Sequence, residues 1–312
     1  MSAPAKVLVT GGAGFIGSHL CERLVERGDH VVVVDNVSSG RWSNLGAIRD
    51  RIEVIEDDVL NLLDHREALA GTERIYHLAA LISGYDSLGE PDAYVRANVD
   101  GLLRVVDLCR TLERPRVVFA SSSTVYGSEG EPLRGEATPP RPITMYALTK
   151  LMGEHVLAMY RDLAGFSDVS LRLFNVYGPR QSPDHPYANV TCKFSDAAAR
   201  GGAVKLYGDG KQTRDFVYVD DVVDAMLRVS GPTRERVYNV GTGTDVSIGE
   251  LLQLVQRVAG TELRVEQLDS WPNDIRAIRA DVSRIHDELS FEAKMSLAAG
   301  LARTVRFFRG EA

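Results

Sequence analysis

Tyr146 and Lys150 stand four residues apart in the run Tyr146-Ala-Leu-Thr-Lys150, just beyond Pro142. On a helix that spacing stacks a phenol and an ammonium on one face. A phenol that titrates near 10 in water is a poor base at neutral pH, and a neighbouring Lys⁺ favours its anion. Tyr146 is then placed to take a proton from a substrate hydroxyl. Ser122 adds a third group. It lies in Val118-Phe-Ala-Ser-Ser-Ser-Thr-Val-Tyr126, at the carboxyl end of a strand-like apolar run, where its hydroxyl can bridge to the same substrate oxygen. Neither the pair nor the serine cluster is specific alone; together they make Ser122, Tyr146 and Lys150 the expected catalytic set.

These side chains need a scaffold, and its first turn is Thr10-Gly-Gly-Ala-Gly-Phe-Ile-Gly17, between the apolar run Val7 to Val9 and a helical pattern expected from Ser18. Glycines at 11, 14 and 17 permit a tight turn, close approach of a pyrophosphate to the backbone, and packing of helix on strand. The helix N-terminus receives the anion. Ile16, Leu20 and Leu24 share a helical face, and Gly28 is the expected C-terminal cap. His30-Val-Val-Val-Val-Asp35 reads as a strand buried on both faces. Asp35 falls about 20 residues past the glycines, where a carboxylate accepts from ribose hydroxyls and repels a 2′-phosphate. NAD, rather than NADP, is the predicted cofactor, and an oxidised nicotinamide would further favour the Tyr146 phenolate.

Strand-like runs recur at Lys6 to Thr10, His30 to Asp35, Glu53 to Glu56, Arg74 to Ala79, Arg116 to Ser121 and Ser170 to Phe174, with helical patterns between most of them. The alternation predicts an α/β fold, a doubly wound parallel sheet of Rossmann type. Ligands bind at the carboxyl ends of such strands, which makes Asp57-Asp58-Val59, Ala79-Ala80-Leu81, Ser121 to Thr124 and Asn175 site candidates. Beyond 175 the alternation loosens: Pro179, Pro183 and Pro186 share a loop, a helix is expected from about Asn189 to Arg200, and Gly208-Asp-Gly210 makes a turn. Ser247-Ile-Gly-Glu250 is a capping box opening a helix with Ile248, Leu251, Leu252 and Val255 on one face. The expected organisation is an NAD-binding domain over 1–174, with a return of the chain near 214–240, and a smaller α/β substrate-binding region over 175–312.

A net charge of −7 over 312 residues, with both signs interspersed, argues against nucleic acid or an anionic membrane as partner. No apolar run approaches the roughly 18 residues of a membrane span, and no signal-peptide pattern precedes the first strand, so a cytoplasmic location is expected. Cys21, Cys109 and Cys192 are widely separated and the seven histidines form no ligand-type pairs, so no metal is expected.

The glycine turn, Asp35, Asp58-Val59, His77-Leu-Ala-Ala80, Asn98-Val-Asp-Gly101, Ser121 to Gly127, Tyr146 with Lys150, and Arg172-Leu-Phe-Asn-Val-Tyr-Gly-Pro-Arg180 together resemble the extended short-chain dehydrogenase/reductase superfamily. Within it, the chain resembles the NAD-dependent sugar-nucleotide epimerase/dehydratase family from about residue 6 to residue 290. The resemblance implies NAD held by Gly11, Gly14, Phe15, Ile16, Gly17, Asp35 and Asn36, with Asp58 and Val59 at the adenine. It implies that Leu78, Ala79, Ala80, Leu81, Asn98, Ser121, Phe174 and Val176 line the cofactor, and that Lys150 also bonds the nicotinamide ribose. A nucleoside-diphosphate sugar, a UDP-sugar above all, is the implied substrate. Its implied contacts are Ser122, Ser123, Thr124, Asn175, Asn189, Val190, Lys205, Tyr207, Arg214, Asp274 and Arg276. Arg214 offers a donor fork suited to a diphosphate. One departure stands out: three residues before Asp274, where members usually carry arginine, this chain has Trp271, which leaves Arg276 or an indole stack for that contact.

Family 4,6-dehydratases carry an Asp-Glu pair directly after the catalytic hydroxyl residue; here those positions are Ser123 and Thr124, neither able to serve as a carboxylate. The implied activity is therefore 4-epimerisation through a transient 4-keto sugar, with UDP-glucose and UDP-galactose as the expected pair. Epimerases of UDP-glucuronate or UDP-N-acetylhexosamines, C3 or C5 epimerases, 4-ketoreductases and a non-catalytic NAD sensor of the same fold remain as alternatives. The resemblance also implies a homodimer through helices near 91–113 and 146–164, although Leu102, Val105, Val106, Leu157 and Met159 could equally face the sheet.

Overall fold

Val7, Leu8 and Val9, with Val31 to Val34, are at most 1% exposed. Burial on both strand faces is what a parallel sheet covered by helices imposes on its inner strands. The computed structural model describes residues 4–184, 188–270 and 275–311. Among the described residues these runs form β1 (Lys6–Thr10) and β2 (His30–Asp35) of a seven-stranded sheet with β3 (Glu53–Glu56), β4 (Arg74–His77), β5 (Arg116–Ser122), β6 (Ser167–Leu173) and β7 (Val237–Val240). The spatial order is β7-β6-β5-β4-β1-β2-β3. Leu8 of β1 lies in parallel register with Val32 of β2 and Ile75 of β4. Strand order therefore reverses between β1 and β4, and the crevice at such a switch point is where open α/β sheets bind ligands.

Three helices matter for the site: α1 (Phe15–Glu26), α2 (Gly101–Cys109) and α3 (Met145–Ala164). Leu102, Val105 and Val106 of α2 and Leu157 of α3 join Leu8, Val32 and Phe119 in one core. The sheet-facing alternative holds for these four residues, and each such side chain contributes roughly 1.5–3 kcal/mol on burial. Met159 and Leu163, by contrast, are 64% and 73% exposed.

Some boundaries differ from expectation for local reasons. Helix α1 begins at Phe15, three residues before Ser18, because Gly14 is its N-cap. Gly28, at φ +83°, ends it by donating its N–H to the Val25 carbonyl at 3.0 Å. Strand β4 stops at His77 because the backbone of Gly11 crosses the chain at Ala79: a Cβ on Gly11 would stand 2.7 Å from the Ala79 nitrogen.

The chain divides into two compact units. The first comprises Met1–Val125, Pro142–Arg172 and Val223–Tyr238; the second comprises Tyr126–Arg141, Leu173–Val222 and Asn239–Ala312. Residues 126–141, expected with the cofactor half, group with the later residues because Leu133 and Arg134 pair in parallel with Arg279 and Ala280. In the second unit short strands accompany the helices α4 (Val190–Arg200), α5 (Val219–Val229), α6 (Ile248–Ala259) and α7 (Leu297–Arg309), α5 continuing into the first unit. The capping box of α6 is complete: Ser247 Oγ accepts from the Glu250 N–H, and the Glu250 carboxylate accepts from the Ser247 N–H. No described helix is long and apolar enough to cross a membrane.

Candidate active site

At the switch point, Gly11 has φ +74° and donates its N–H to Val34 O at 2.9 Å. A Cβ on Gly17 would overlap the Gly11 carbonyl oxygen, so the turn closes only without side chains. Among the described residues no side chain caps α1 and no acid occupies its first turn. The first-turn N–H groups, those of Phe15, Ile16 and Gly17 included, and the positive end of the helix dipole are thus left for an anion.

Asp35 closes β2 at 8% exposure. One carboxylate oxygen accepts the Ala13 N–H at 2.9 Å and the other accepts the Val37 N–H at 2.8 Å. Burial raises its pKa and these two bonds oppose that rise. Each oxygen retains further acceptor capacity, suited to ribose hydroxyls. Nearby, Asn36 donates to Asp58 at 2.8 Å, and the other oxygen of Asp58 accepts the Leu60 N–H at 2.9 Å. Val59 is buried beside Gly101, where a Cβ would stand 2.7 Å from a Val59 methyl. Leu78 and Ala79 bond to the Thr10 carbonyl and hydroxyl, and Ala80 follows half-buried. The amide of Asn98 is fully engaged: it accepts the Leu81 N–H at 2.8 Å and donates to Leu81 O at 3.0 Å and Thr149 Oγ1 at 2.9 Å. Asn98 thus shapes the Ala79 to Leu81 turn instead of presenting its amide. The uncapped helix, the cradle that a Cβ would fill and the buried carboxylate fit a dinucleotide.

Thr144 caps helix α3, its hydroxyl accepting the Ala147 N–H at 3.2 Å. Tyr146 is half-buried in its first turn and Lys150 is buried one turn on. Lys150 Nζ donates to Ala120 O at 2.8 Å and stands 5.0 Å from the Phe119 ring centre and 5.9 Å from that of Tyr146. Ser122 Oγ accepts the hydroxyl of Thr124 at 2.9 Å and its N–H at 3.2 Å. The neighbouring Ser122 hydroxyl pulls the Tyr146 phenol pKa down, but burial dominates and pushes it up to about 12. The expected pull of Lys150 and of an oxidised nicotinamide towards the phenolate would act against this rise. The same enclosure penalises the ammonium and brings Lys150 down to about 7, so at rest the phenol keeps its proton. His77 lies under this corner, its Nδ1 2.8 Å from Thr10 Oγ1 and its ring stacked on Phe119 at 5.9 Å. Ser123 is buried and Thr124 half-buried, with no carboxylate at either position.

Ser121 was expected at the cofactor, but its hydroxyl donates to Glu154 at 2.5 Å. Glu154 was not singled out from sequence, although it extends the four-residue period of Tyr146 and Lys150. Asp215 was also unforeseen as a structural hub: wholly buried, it accepts the N–H groups of Thr242, Gly243 and Ala280 and the Thr242 hydroxyl.

In the second unit, Asn175 donates to Asp215 O at 3.3 Å. Asn189 caps α4, accepting the Thr191 N–H at 3.2 Å and donating to Val176 O at 3.1 Å. Phe174 is buried against Tyr126, Val190 and Tyr207 are half-buried, and Lys205 is exposed on the strand Ala203–Tyr207. Arg214 donates to the carbonyls of Thr213 at 2.8 Å and Ile275 at 2.5 Å. Arg276 makes an exposed fork with Asp209, at 2.8 and 3.2 Å, which holds the Asp209 carboxyl down to about 2. Exposed pairs of this kind are weak, so Arg276 can exchange Asp209 for a phosphate. Trp271 and Asp274, like Pro186, lie outside the described residues. No cluster with metal-ligand character occurs among the described residues.

A sequence model of the NAD dependent epimerase/dehydratase family matches residues 7–241. The UDP-glucose 4-epimerase of Mycolicibacterium smegmatis is 39% identical over 311 residues, covering 98% of this chain and 99% of its own. Among solved structures, the UDP-N-acetylglucosamine 4-epimerase from Methanobrevibacter ruminantium, in complex with UDP-N-acetylmuramic acid, is similar at a TM-score of 0.93 and 34% identity, covering 100% of both chains. The UDP-glucose 4-epimerase of Thermus thermophilus, in complex with NAD, is similar at a TM-score of 0.89 and 33% identity, covering 98% of this chain and 100% of its own. With the glycine cradle, the buried Asp35 and the Ser122, Tyr146 and Lys150 corner in place, the chain belongs to the NAD-dependent epimerase/dehydratase family.

Proposed function

We propose that this protein is an NAD-dependent UDP-sugar 4-epimerase, with UDP-glucose and UDP-galactose as its pair. The observation that carries the reading is the corner itself: a phenol, a buried amine and a strand-end hydroxyl converge, with no carboxylate at 123 or 124 to support dehydration. Ser122 and Tyr146 bond the sugar O4, and Tyr146 removes its proton as the C4–H bond breaks. Bound NAD supplies what the side chains lack, a hydride acceptor and donor at C4 and a positive charge that favours the phenolate. Lys150, protonated, steadies that phenolate from one helical turn away. Once the 4-keto sugar presents its other face, Tyr146 returns the proton to O4, and C4 is inverted with no net redox.

Within the second unit, this reading assigns Asn175, Asn189, Val190, Lys205, Tyr207, Arg214 and Arg276 to the nucleotide sugar. The likeness to a UDP-N-acetylglucosamine 4-epimerase makes an N-acetylhexosamine the second reading. A homodimer joined along the exposed Met159 and Leu163 of α3 completes the proposal. Three buried free cysteines accord with a reducing, cytoplasmic location.

Incubation with UDP-glucose without added cofactor, followed in the anomeric proton region by NMR, is expected to yield UDP-galactose. Tyr146→Phe is expected to keep NAD and lose turnover by at least about a hundredfold. A folded, NAD-loaded variant that turns over at the wild-type rate refutes the mechanism.

A further inference from the structure

Tyr146, Lys150 and Glu154 follow one another at four-residue spacing on a single face of α3, about 6 Å apart along its axis. Each meets one of three consecutive residues of β5. Ser122 lies close enough to the Tyr146 phenol to draw its pKa down, Ala120 O accepts from Lys150 at 2.8 Å, and Ser121 Oγ donates to Glu154 Oε1 at 2.5 Å. Arg172, on the adjacent strand β6, then grips Glu154 with two bonds, Nε to Oε1 at 3.0 Å and Nη2 to Oε2 at 2.7 Å. Glu154 and Arg172 are only 8% and 5% exposed.

A buried ion pair gives little net stability compared with apolar residues of the same volume, because desolvating two charges offsets their attraction. What a two-bond fork does supply is direction and distance. Here it ties the helix that carries the base to two neighbouring strands, one of which carries Ser122. We propose that Ser121, Glu154 and Arg172 form a positioning clamp that sets the height of α3 on the sheet and so the approach of Tyr146 to Ser122 and the sugar O4. None of the three touches the reacting atoms. The inference rests on Ser122, Tyr146 and Lys150 being the reacting set.

The test replaces both charges together, Glu154→Met with Arg172→Met, so that no buried charge is stranded. The NAD-loaded double variant is expected to keep its KM for UDP-glucose within about twofold and to lose 10- to 100-fold in kcat, the scale of an ångström of misplacement. Glu154→Gln, which retains an acceptor for Ser121, is expected to fall between the double variant and wild type. A folded double variant with wild-type kcat overturns the proposal. If the double variant does not fold, Ser121→Ala carries the test: a loss of at least about threefold in kcat at unchanged KM is expected, and wild-type kcat overturns the clamp.

A readout independent of substrate separates this inference from the activity on which it rests. In protein labelled at tyrosine Cζ, the Tyr146 resonance is identified by its absence from Tyr146→Phe. It is expected to shift in the double variant or in Ser121→Ala, since the phenol moves relative to Ser122, Lys150, and Tyr94 on the helix Pro91–Val95. A resonance at the wild-type position overturns the clamp even if wild-type protein does not epimerise UDP-glucose, a result that would itself remove only the proposed activity.

Discussion

Acid should destabilise this fold through one histidine in particular. His77 is 1% exposed, bonded through Nδ1 to Thr10 and stacked on Phe119. Burial, and then the charge of Lys150, push its pKa from 6.5 down to about 3. Below pH 6.5 the unfolded chain takes up a proton there while the folded chain does not, so stability falls with pH until the folded pKa near 3 is reached. The separation of the two values corresponds to about 5 kcal/mol in total, of which about 2 kcal/mol is already lost at pH 5. Against a typical stability of about 5–15 kcal/mol that is a large share. The assay is urea unfolding of the NAD-saturated protein at pH 8 and pH 5, wild type beside His77→Asn. Asparagine keeps a polar atom for Thr10 and does not titrate. The variant is expected to be less stable at pH 8 by about 1–3 kcal/mol, through the cavity it opens, yet to lose about 2 kcal/mol less than wild type on going to pH 5. Carboxylates titrate in both proteins and cancel in the comparison. Equal losses in the two proteins would show that His77 is not held neutral, and the reasoning would fail.

Two other perturbations test separate features. Gly17→Ala places a methyl into the Gly11 carbonyl and forces α1 away from the turn; NAD affinity is expected to fall at least about tenfold by calorimetric titration, with a stability loss of about 1–3 kcal/mol, and wild-type affinity would contradict the cradle. Met159→Glu with Leu163→Glu charges the exposed stripe of α3; sedimentation is expected to show a monomer with an unchanged Tm, and a persisting dimer would place the interface elsewhere.

Much of the first unit is coded locally. Val31 to Val34 state by their run of β-branched residues that both faces are covered, and the glycines that must be bare announce the turn that brings Gly11 against Ala79. What sequence pattern misses depends on neighbours distant in the chain. Leu133 belongs with Arg279, a pairing across almost 150 residues that no periodicity encodes, and it moves 126–141 into the second unit. The Tyr146 to Lys150 spacing tells which groups adjoin but not how dry their surroundings are, and it is burial that pushes the phenol up. Sequence pattern also does not tell that Leu81 engages the Asn98 amide and Asp209 the Arg276 guanidinium.

The threading of the first unit has a consequence for how the chain is made. Strand β6 ends at Leu173, but its outer neighbour β7 begins at Val237, after the whole of 174–236 has intervened. At a synthesis rate of about 5–20 residues per second, several seconds separate the two strands as they leave the ribosome. Throughout that interval the N–H groups of Ser170 and Phe174 lack the carbonyls of Arg236 and Val240 that they bond in the finished fold. A nascent sheet with an open, apolar edge at Val169, Leu171 and Leu173 is a template for wrong pairing until residue 240 emerges.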